Sequence, residues 1–236
     1  MRIEQQPAFV LHSRPYRETS LLLELLTRDH GRLGVVARSV RGERARLRRA
    51  LLEPFESIVV GLWRRGELAT LTTIERTATS TSLTGQAVLA GLYLNELVVR
   101  LTGRDDPLPA LYGAYSDTVR RLSTGEPMAW TLRRFERDLL QAIGYALPLQ
   151  HEVESGRALD PAGYYRYGLG EGLVRCAASD PEALRGCDLL ALAADSMPDA
   201  EAAPALRKLM RRVIRFHLGG AELRSWHVLA MAGSRR

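Results

Sequence analysis

Arg38, Arg41, Arg44, Arg46, Arg48 and Arg49 fall within twelve residues, "RSVRGERARLRR", with Glu43 as the single acid among them. A guanidinium is a flat, forked donor that grips phosphate oxygens and can also stack on a base. The chemistry this run suggests is capture of a polyanion; the bland alternative is a solvated loop whose charge does nothing specific. Arg207, Arg211 and Arg215 make a second set, four residues apart and so on one helical face, with Lys208 and Arg212 on the adjacent face. Leu206, Leu209, Val213 and Phe216 are expected to turn to the core. Such a row can track phosphates or simply be solvated. A third set, in "TLRRFERD", puts Arg133 and Arg137 on one face beside the apolar residues Leu132, Phe135 and Leu139. An arginine next to an apolar notch suits a carboxylate carried on an apolar or aromatic residue, the chemistry of a peptide C-terminus. Arg134 can pair with Asp138 and so be structural.

No catalytic constellation accompanies these cations. The only lysine, Lys208, follows Arg207 rather than glycine, so the chain has no P-loop. There is no G-x-S-x-G elbow and no H-E-x-x-H pair. His12, His30, His151, His217 and His227 are scattered. Glu96, on the apolar side of its helix, is the most suspicious acid. It is expected to be a carboxylate held by backbone donors or an arginine rather than a catalytic group. Cys176 and Cys187 lack zinc-site spacing and read as reduced, semi-buried thiols. The expectation is a non-enzyme with no metal and no cofactor.

The elements that must position the arginines change character near residue 80. "PAFVLHSR", "TSLLLELLT", "GRLGVVARSV", "FESIVVGLW" and "ELATLTTIERTAT" are short, β-branched and bounded by turn formers such as "RDHG" (28–31) and "RRGE" (64–67). Five close strands suggest a small closed barrel. The "LLLELL" run could be helical by composition, but its flanks favour strand. The 38–49 run follows the third strand, which in an OB-type barrel lies by the oligonucleotide face. From about Ser82 the period becomes helical, with Leu89, Leu92, Glu96 and Val99 as one expected face and a stop at Gly103. Further helices follow, the third with the stripe Leu132, Phe135, Leu139 and Ile143, interrupted by two short strands around "GLGEG". The fold class expected is α+β: a five-stranded OB barrel over 1–80, then a mainly helical domain over 81–236 with a small β insertion.

Composition agrees with a packed, basic protein. The chain has 236 residues, 46% of them apolar, and a formal net charge of +6. That balance favours polyanionic partners, nucleic acid ahead of a membrane surface. No stretch has a signal-peptide core or the roughly 20 apolar residues of a membrane span. The expected setting is cytoplasmic, and not a membrane.

With these elements placed, the sequence resembles the RecO family of bacterial DNA repair and recombination mediators. The resemblance is carried by "AFVLHSRPYRETSLLLELLTRDHGR" at 8–32, "EPF" at 53–55, "GLYLNEL" at 91–97, "LRRFERDLLQAIGY" at 132–145 and "HLGGAELRS" at 217–225, in order along nearly the whole chain. It implies an OB barrel followed by a helical domain, and a non-enzymatic role. That role comprises binding single- and double-stranded DNA and annealing complementary strands. It also includes engaging the acidic, phenylalanine-ending tail of the single-stranded DNA-binding protein, and promoting recombinase loading with RecR. By position, Arg38 and Arg41 match the family's basic residues after the third strand, and Arg133 matches an arginine of the tail pocket. The expected DNA contacts are Arg32, Arg38, Arg41, Arg44, Arg46, Arg48, Arg49, Arg207, Arg211 and Arg215; the expected tail contacts are Leu132, Arg133 and Arg137. Many relatives carry a four-cysteine zinc module that this chain cannot form. Its C-terminal "GGAELRSW" has Glu222 and Trp226 where family members often have lysines. An RNA-binding OB regulator is the rival that charge and barrel alone do not separate.

Overall fold

The structure, a computed structural model, describes residues 1–40, 49–77 and 82–233. Five strands form a closed barrel: β1 (Arg2–Tyr16), β2 (Ser20–Thr27), β3 (Gly31–Ala37), β4 (Ser57–Arg64) and β5 (Leu68–Arg76). All neighbours are antiparallel except β3 and β5, which run parallel and close the barrel, with Gly34 opposite Leu68. β1 serves both β2 and β4 because it is long and carries register shifts between Ile3 and Gln6 and between Val10 and His12. Such irregularities bend a strand and let one ribbon turn a barrel corner.

β2 is the "LLLELL" run, and it is a strand. Leu21, Leu23 and Leu25 join the barrel core, while Leu22 and Leu26 are buried on the other face. Burial on both faces gives a continuous apolar run that composition alone reads as helix. The core is completed by Ala8, Val10, Leu33, Val35, Ile58, Val60 and Leu62.

Two helices, α1 (Gln86–Leu101) and α2 (Pro109–Ser123), belong to the same compact unit as the barrel. The shift in β1 leaves the Leu11 carbonyl outside the ladder, and the Asn95 amide nitrogen of α1 donates to it at 2.8 Å. Tyr115 of α2 donates its hydroxyl to the Asn95 oxygen at 2.5 Å, and its ring meets Phe9 at 5.0 Å. Burial pushes the Tyr115 phenol well above its ordinary pKa. The expected stripe of α1 is corrected: Ala90, Tyr93, Leu94, Leu97 and Val98 are buried, while Leu92 is 44% exposed. Apolar residues surround α1, so its period does not single out one face.

The second compact unit spans 127–222 and holds α3 (Met128–Ala142), β6 (Tyr164–Gly168), β7 (Gly172–Arg175), β8 (Leu184–Arg185), α4 (Gly186–Ala193) and α5 (Ala202–His217). Its small sheet has the order β7-β6-β8, so the two strands around the glycine turn gain a third, two-residue partner. Leu140, Tyr165, Leu173, Leu189, Leu192, Leu206 and Met210 form its core. Phe216 does not join them: it is 52% exposed, because Met210 and Ile214 complete the buried stripe instead. Cys187 is exposed rather than semi-buried; Cys176 is intermediate. The chain then returns to the first unit through α6 (Arg224–Gly233), which packs on α1. The strand-to-helix change near residue 80 and the division into compact units therefore fall at different places.

Candidate nucleic-acid interface

The barrel unit carries an open groove of about 920 Å³. Its walls are the β1–β2 connection (Tyr16 to Ser20), the end of β3 with Arg38 and Ser39, and the β4–β5 hairpin with Trp63, Arg65 and Leu68 to Thr70. Trp63 and Arg65 both line the groove, while Arg64 between them turns aside to pair with Asp105 (Nη2–Oδ2 2.8 Å). The Arg65 guanidinium sits 5.5 Å from the Trp63 ring centroid, and that of Arg17 sits 5.3 Å from the Tyr16 ring. Trp63 is 40% exposed, unusual for a tryptophan with no binding task. Arg17 and Ser39 both have left-handed backbones (φ 55° each), a strained choice for residues with side chains that recurs at functional sites. Among the described residues, its lining carries three arginines, Arg17, Arg38 and Arg65, and one carboxylate, Glu18. The arrangement offers flat aromatic faces for bases and guanidiniums for phosphates.

Of the expected contacts in the basic run, Arg38 lines this groove and Arg49 is exposed at the far end of the same connection. Arg41, Arg44, Arg46 and Arg48 lie outside the described residues. Tyr16, Arg17, Trp63 and Arg65 were not singled out from the sequence. The signal was an aromatic–arginine pair at each of two turns, "YR" and "WRR".

Arg32 is placed elsewhere. Its Nη1 pairs with Glu24 at 2.9 Å and its Nη2 donates to the Thr102 carbonyl at 2.8 Å, with the side chain only 12% exposed. Arg104 pairs with the same Glu24, and the Asp105 amide donates to the Arg32 carbonyl. Arg32 thus fastens the segment after α1 to the barrel, a structural task for a residue expected among the phosphate contacts.

In the second unit, Arg207, Arg211 and Arg215 are exposed on one face of α5, as the spacing predicts. Arg211 and Arg215 each lie 3.8 Å from Glu222. The adjacent face is occupied: Arg212 pairs with Glu182 and donates to the Tyr167 carbonyl, and Lys208 donates to the Pro181 carbonyl at 3.3 Å.

The α3 set differs from expectation. Leu132 and Arg133 are each only 7% exposed. Arg133 pairs with the fully buried Glu136 one turn on, and its buried Nε has no hydrogen-bond partner among the described residues. Arg134 pairs with Asp195, not with Asp138. Asp138 belongs to Arg137, whose guanidinium also reaches the Leu192 carbonyl at 2.6 Å and Asp195 at 3.0 Å. Arg137 borders a cavity of about 340 Å³ lined by Gln141, Leu147, Pro148, Leu149, His151 and Ala193.

Glu96 caps a helix. Its carboxylate accepts from the Arg224 amide (2.9 Å), the Ser225 amide (2.8 Å) and the Ser225 hydroxyl (2.5 Å), at the N-terminus of α6. Burial works to raise its pKa, but the Ser225 hydroxyl, the two amides and nearby Arg100 outweigh it and hold the carboxyl below the ordinary range. Among the described residues, no three His, Cys, Asp or Glu side chains stand where they could share a metal ion. No helix among them is long and apolar enough to cross a membrane.

Residues 1–79 match the family model "Recombination protein O N terminal", and residues 83–227 match "Recombination protein O C terminal". The chain is 46% identical over 241 residues to the DNA repair protein RecO of Xanthomonas euvesicatoria pv. vesicatoria (strain 85-10), covering 100% of both chains. It is 46% identical to that of Stenotrophomonas maltophilia (strain R551-3) over 240 residues, again 100% of both. The RecO of Xanthomonas campestris pv. campestris (strain B100) is 43% identical over 97% of each chain. With a five-stranded barrel followed by a helical region, and both family models matched in order, the chain belongs to the RecO family.

Proposed function

We propose that the barrel groove holds single-stranded DNA and that the protein uses it to bring complementary strands together, without catalysing a covalent step. Membership in the family supports a role in DNA repair and recombination. The observation that carries the finer reading is the groove itself, where guanidiniums lie over the exposed Trp63 ring and the half-buried Tyr16 ring at two turns. Bases stacked on Trp63 and Tyr16 would leave their phosphates toward Arg17, Arg38 and Arg65. Duplex binding would use the same cations without the stacking term. The pattern does not read base edges, so binding is expected to be nearly independent of sequence.

Engagement of the single-stranded DNA-binding protein's tail and cooperation with RecR complete the proposed role, in the cytoplasm at the nucleoid. For the tail, the cavity beside Arg137 supports a different footing from Arg133. A terminal phenylalanine ring could rest against Leu147, Pro148 and Leu149 while its carboxylate competes for Arg137.

The test is annealing of two labelled complementary oligonucleotides, naked and coated with the cognate single-strand binding protein. Trp63→Ala with Arg65→Ala should slow both reactions at least about tenfold, since base–aromatic stacking contributes about 1–3 kcal/mol per base. Unchanged rates in a folded variant would overturn the groove as the strand-holding surface.

A further inference from the structure

We infer that Asp105 is a positioning residue for the barrel groove: through Arg64 it holds the Trp63–Arg65 pair in place to receive a base. The inference rests on the reading that this groove holds single strands, and adds what keeps its aromatic wall in place. Arg64 sits between Trp63 and Arg65, which line the groove, and its guanidinium is engaged away from it. Nε donates to the Gly66 carbonyl at 3.0 Å, inside the β4–β5 turn. Nη1 and Nη2 grip both oxygens of Asp105, the second at 2.8 Å. Gly66 has a left-handed backbone (φ 88°), which glycine adopts without strain. One fork therefore ties the turn beside Trp63 and Arg65 to the segment between α1 and α2.

Asp105 is in turn held by the barrel. Its backbone is left-handed (φ 63°) and its amide donates to the Arg32 carbonyl of β3 at 3.0 Å. Beside it, Arg104 pairs with Glu24 of β2, and the same Glu24 holds Arg32, whose Nη2 donates to the Thr102 carbonyl. The Arg104 guanidinium also passes close to Gly34, where an added side chain would come within 3.1 Å of it and 2.7 Å of Leu68, a groove-lining residue. β3 meets β5 over only three residue pairs, beginning at Gly34 and Leu68, so the ladder on that side of the hairpin is short and the Arg64–Asp105 pair adds a tie across it. The Arg64 and Asp105 side chains are 23% and 44% exposed, and pairs this open to water contribute little to stability. What the pair fixes is the direction of Arg64 and, with it, the presentation of its two neighbours. The sign of the charge makes the claim exacting. An acid near a phosphate-binding groove repels the strand, so on Coulomb grounds alone its removal should tighten binding. Removal of a positioning residue should weaken it.

The test titrates a labelled oligothymidine with the full chain, with Trp63→Ala, and with Asp105→Asn and Arg64→Met, each alone and combined with Trp63→Ala; Tm checks the fold. Asparagine tolerates the left-handed backbone but turns an N–H donor toward one prong of the fork. Asp105→Asn should weaken binding about threefold to tenfold, part of the roughly fivefold to hundredfold that a lost stacked base costs, with the salt slope kept. On the Trp63→Ala background it should cost nothing further. Arg64→Met breaks the pair from the other side and carries the same comparison if Asp105→Asn does not fold. Trp63 is 40% exposed and Trp130 and Trp226 8% each. The fluorescence anisotropy decay of Trp63, isolated by subtracting the matching Trp63→Ala protein, should gain a fast component in Asp105→Asn before any DNA is added. Equal or tighter binding by Asp105→Asn, with Trp63→Ala weakened, would overturn the positioning role and leave the groove reading standing. A loss that persists in full on the Trp63→Ala background would overturn it too, since Asp105 would then act by another route. Full affinity in Trp63→Ala would overturn the groove reading itself, and the positioning role with it.

Discussion

Removing Arg133 should be felt first as a loss of stability, not of recognition. Its side chain is 9% exposed and its partner Glu136 0%, so the pair is a buried ion pair on one turn of α3. Truncation to alanine leaves Glu136 buried without the arginine's charge. Breaking a buried pair from one side costs about 3–5 kcal/mol, a large part of the roughly 5–15 kcal/mol that holds a typical protein folded. At about 2–4 °C per kcal/mol for a chain of this size, Tm should fall by roughly 6–20 °C. The control removes both charges at nearly constant volume: Arg133→Met with Glu136→Gln should recover most of the loss, because both desolvation penalties vanish together. The assay is thermal and urea unfolding of the wild type, Arg133→Ala and the Arg133→Met/Glu136→Gln double variant. Tail-peptide titrations would be run on whichever variants remain folded. If Arg133→Ala keeps the wild-type Tm yet abolishes tail binding, Arg133 faces solvent in the working protein and the buried-pair account is wrong.

Three other outcomes follow from the same geometry. Glu96 has a folded pKa below its unfolded value, so its contribution to stability is complete above the ordinary glutamate range near pH 4.3 and disappears as pH falls through the depressed value. Glu96→Gln should cost about 1–2 kcal/mol at pH 7, a cost that shrinks as pH falls through the depressed pKa of Glu96, read as amide exchange of α6; equal exchange at pH 7 would refute the cap. Arg32→Ala should lower Tm and leave the salt slope of DNA binding unchanged, whereas Arg38→Ala should do the reverse; a slope change with Arg32→Ala would return it to the phosphate-facing set. Excess EDTA should leave Tm unchanged, since a structural zinc contributes directly to folding; a stoichiometric zinc signal in purified protein would contradict a metal-free fold.

The barrel was legible because each strand is short, β-branched and bounded by turn formers, and "RDHG" and "RRGE" fall at the β2–β3 and β4–β5 turns. The arginine row of α5 was legible because the spacing of four fixes a face whatever the surroundings. Three things were not. The face of α1 was misread because apolar residues surround it, and the Asn95 bond to the Leu11 carbonyl depends on a strand irregularity that local sequence does not announce. The roles of Arg32, Arg133, Arg134 and Arg137 depend on acids up to 61 residues away, as Arg134 with Asp195 illustrates. The Trp63–Arg65 and Tyr16–Arg17 pairs escaped notice because a dense run of arginines drew attention to charge count, while the stacking surface lay at two turns with only one or two cations each.

The central claim is that guanidiniums in the barrel groove neutralise successive phosphates of a single strand. It is tested most directly by the salt dependence of binding of a short oligothymidine to the full chain, compared between wild type and the triple variant Arg17→Ala/Arg38→Ala/Arg65→Ala. At about 0.7 for each phosphate no longer neutralised, the triple variant should flatten the log–log slope by about 2, with Tm unchanged. A slope identical to wild type in a folded triple variant would contradict the claim and show that these guanidiniums hold no phosphate.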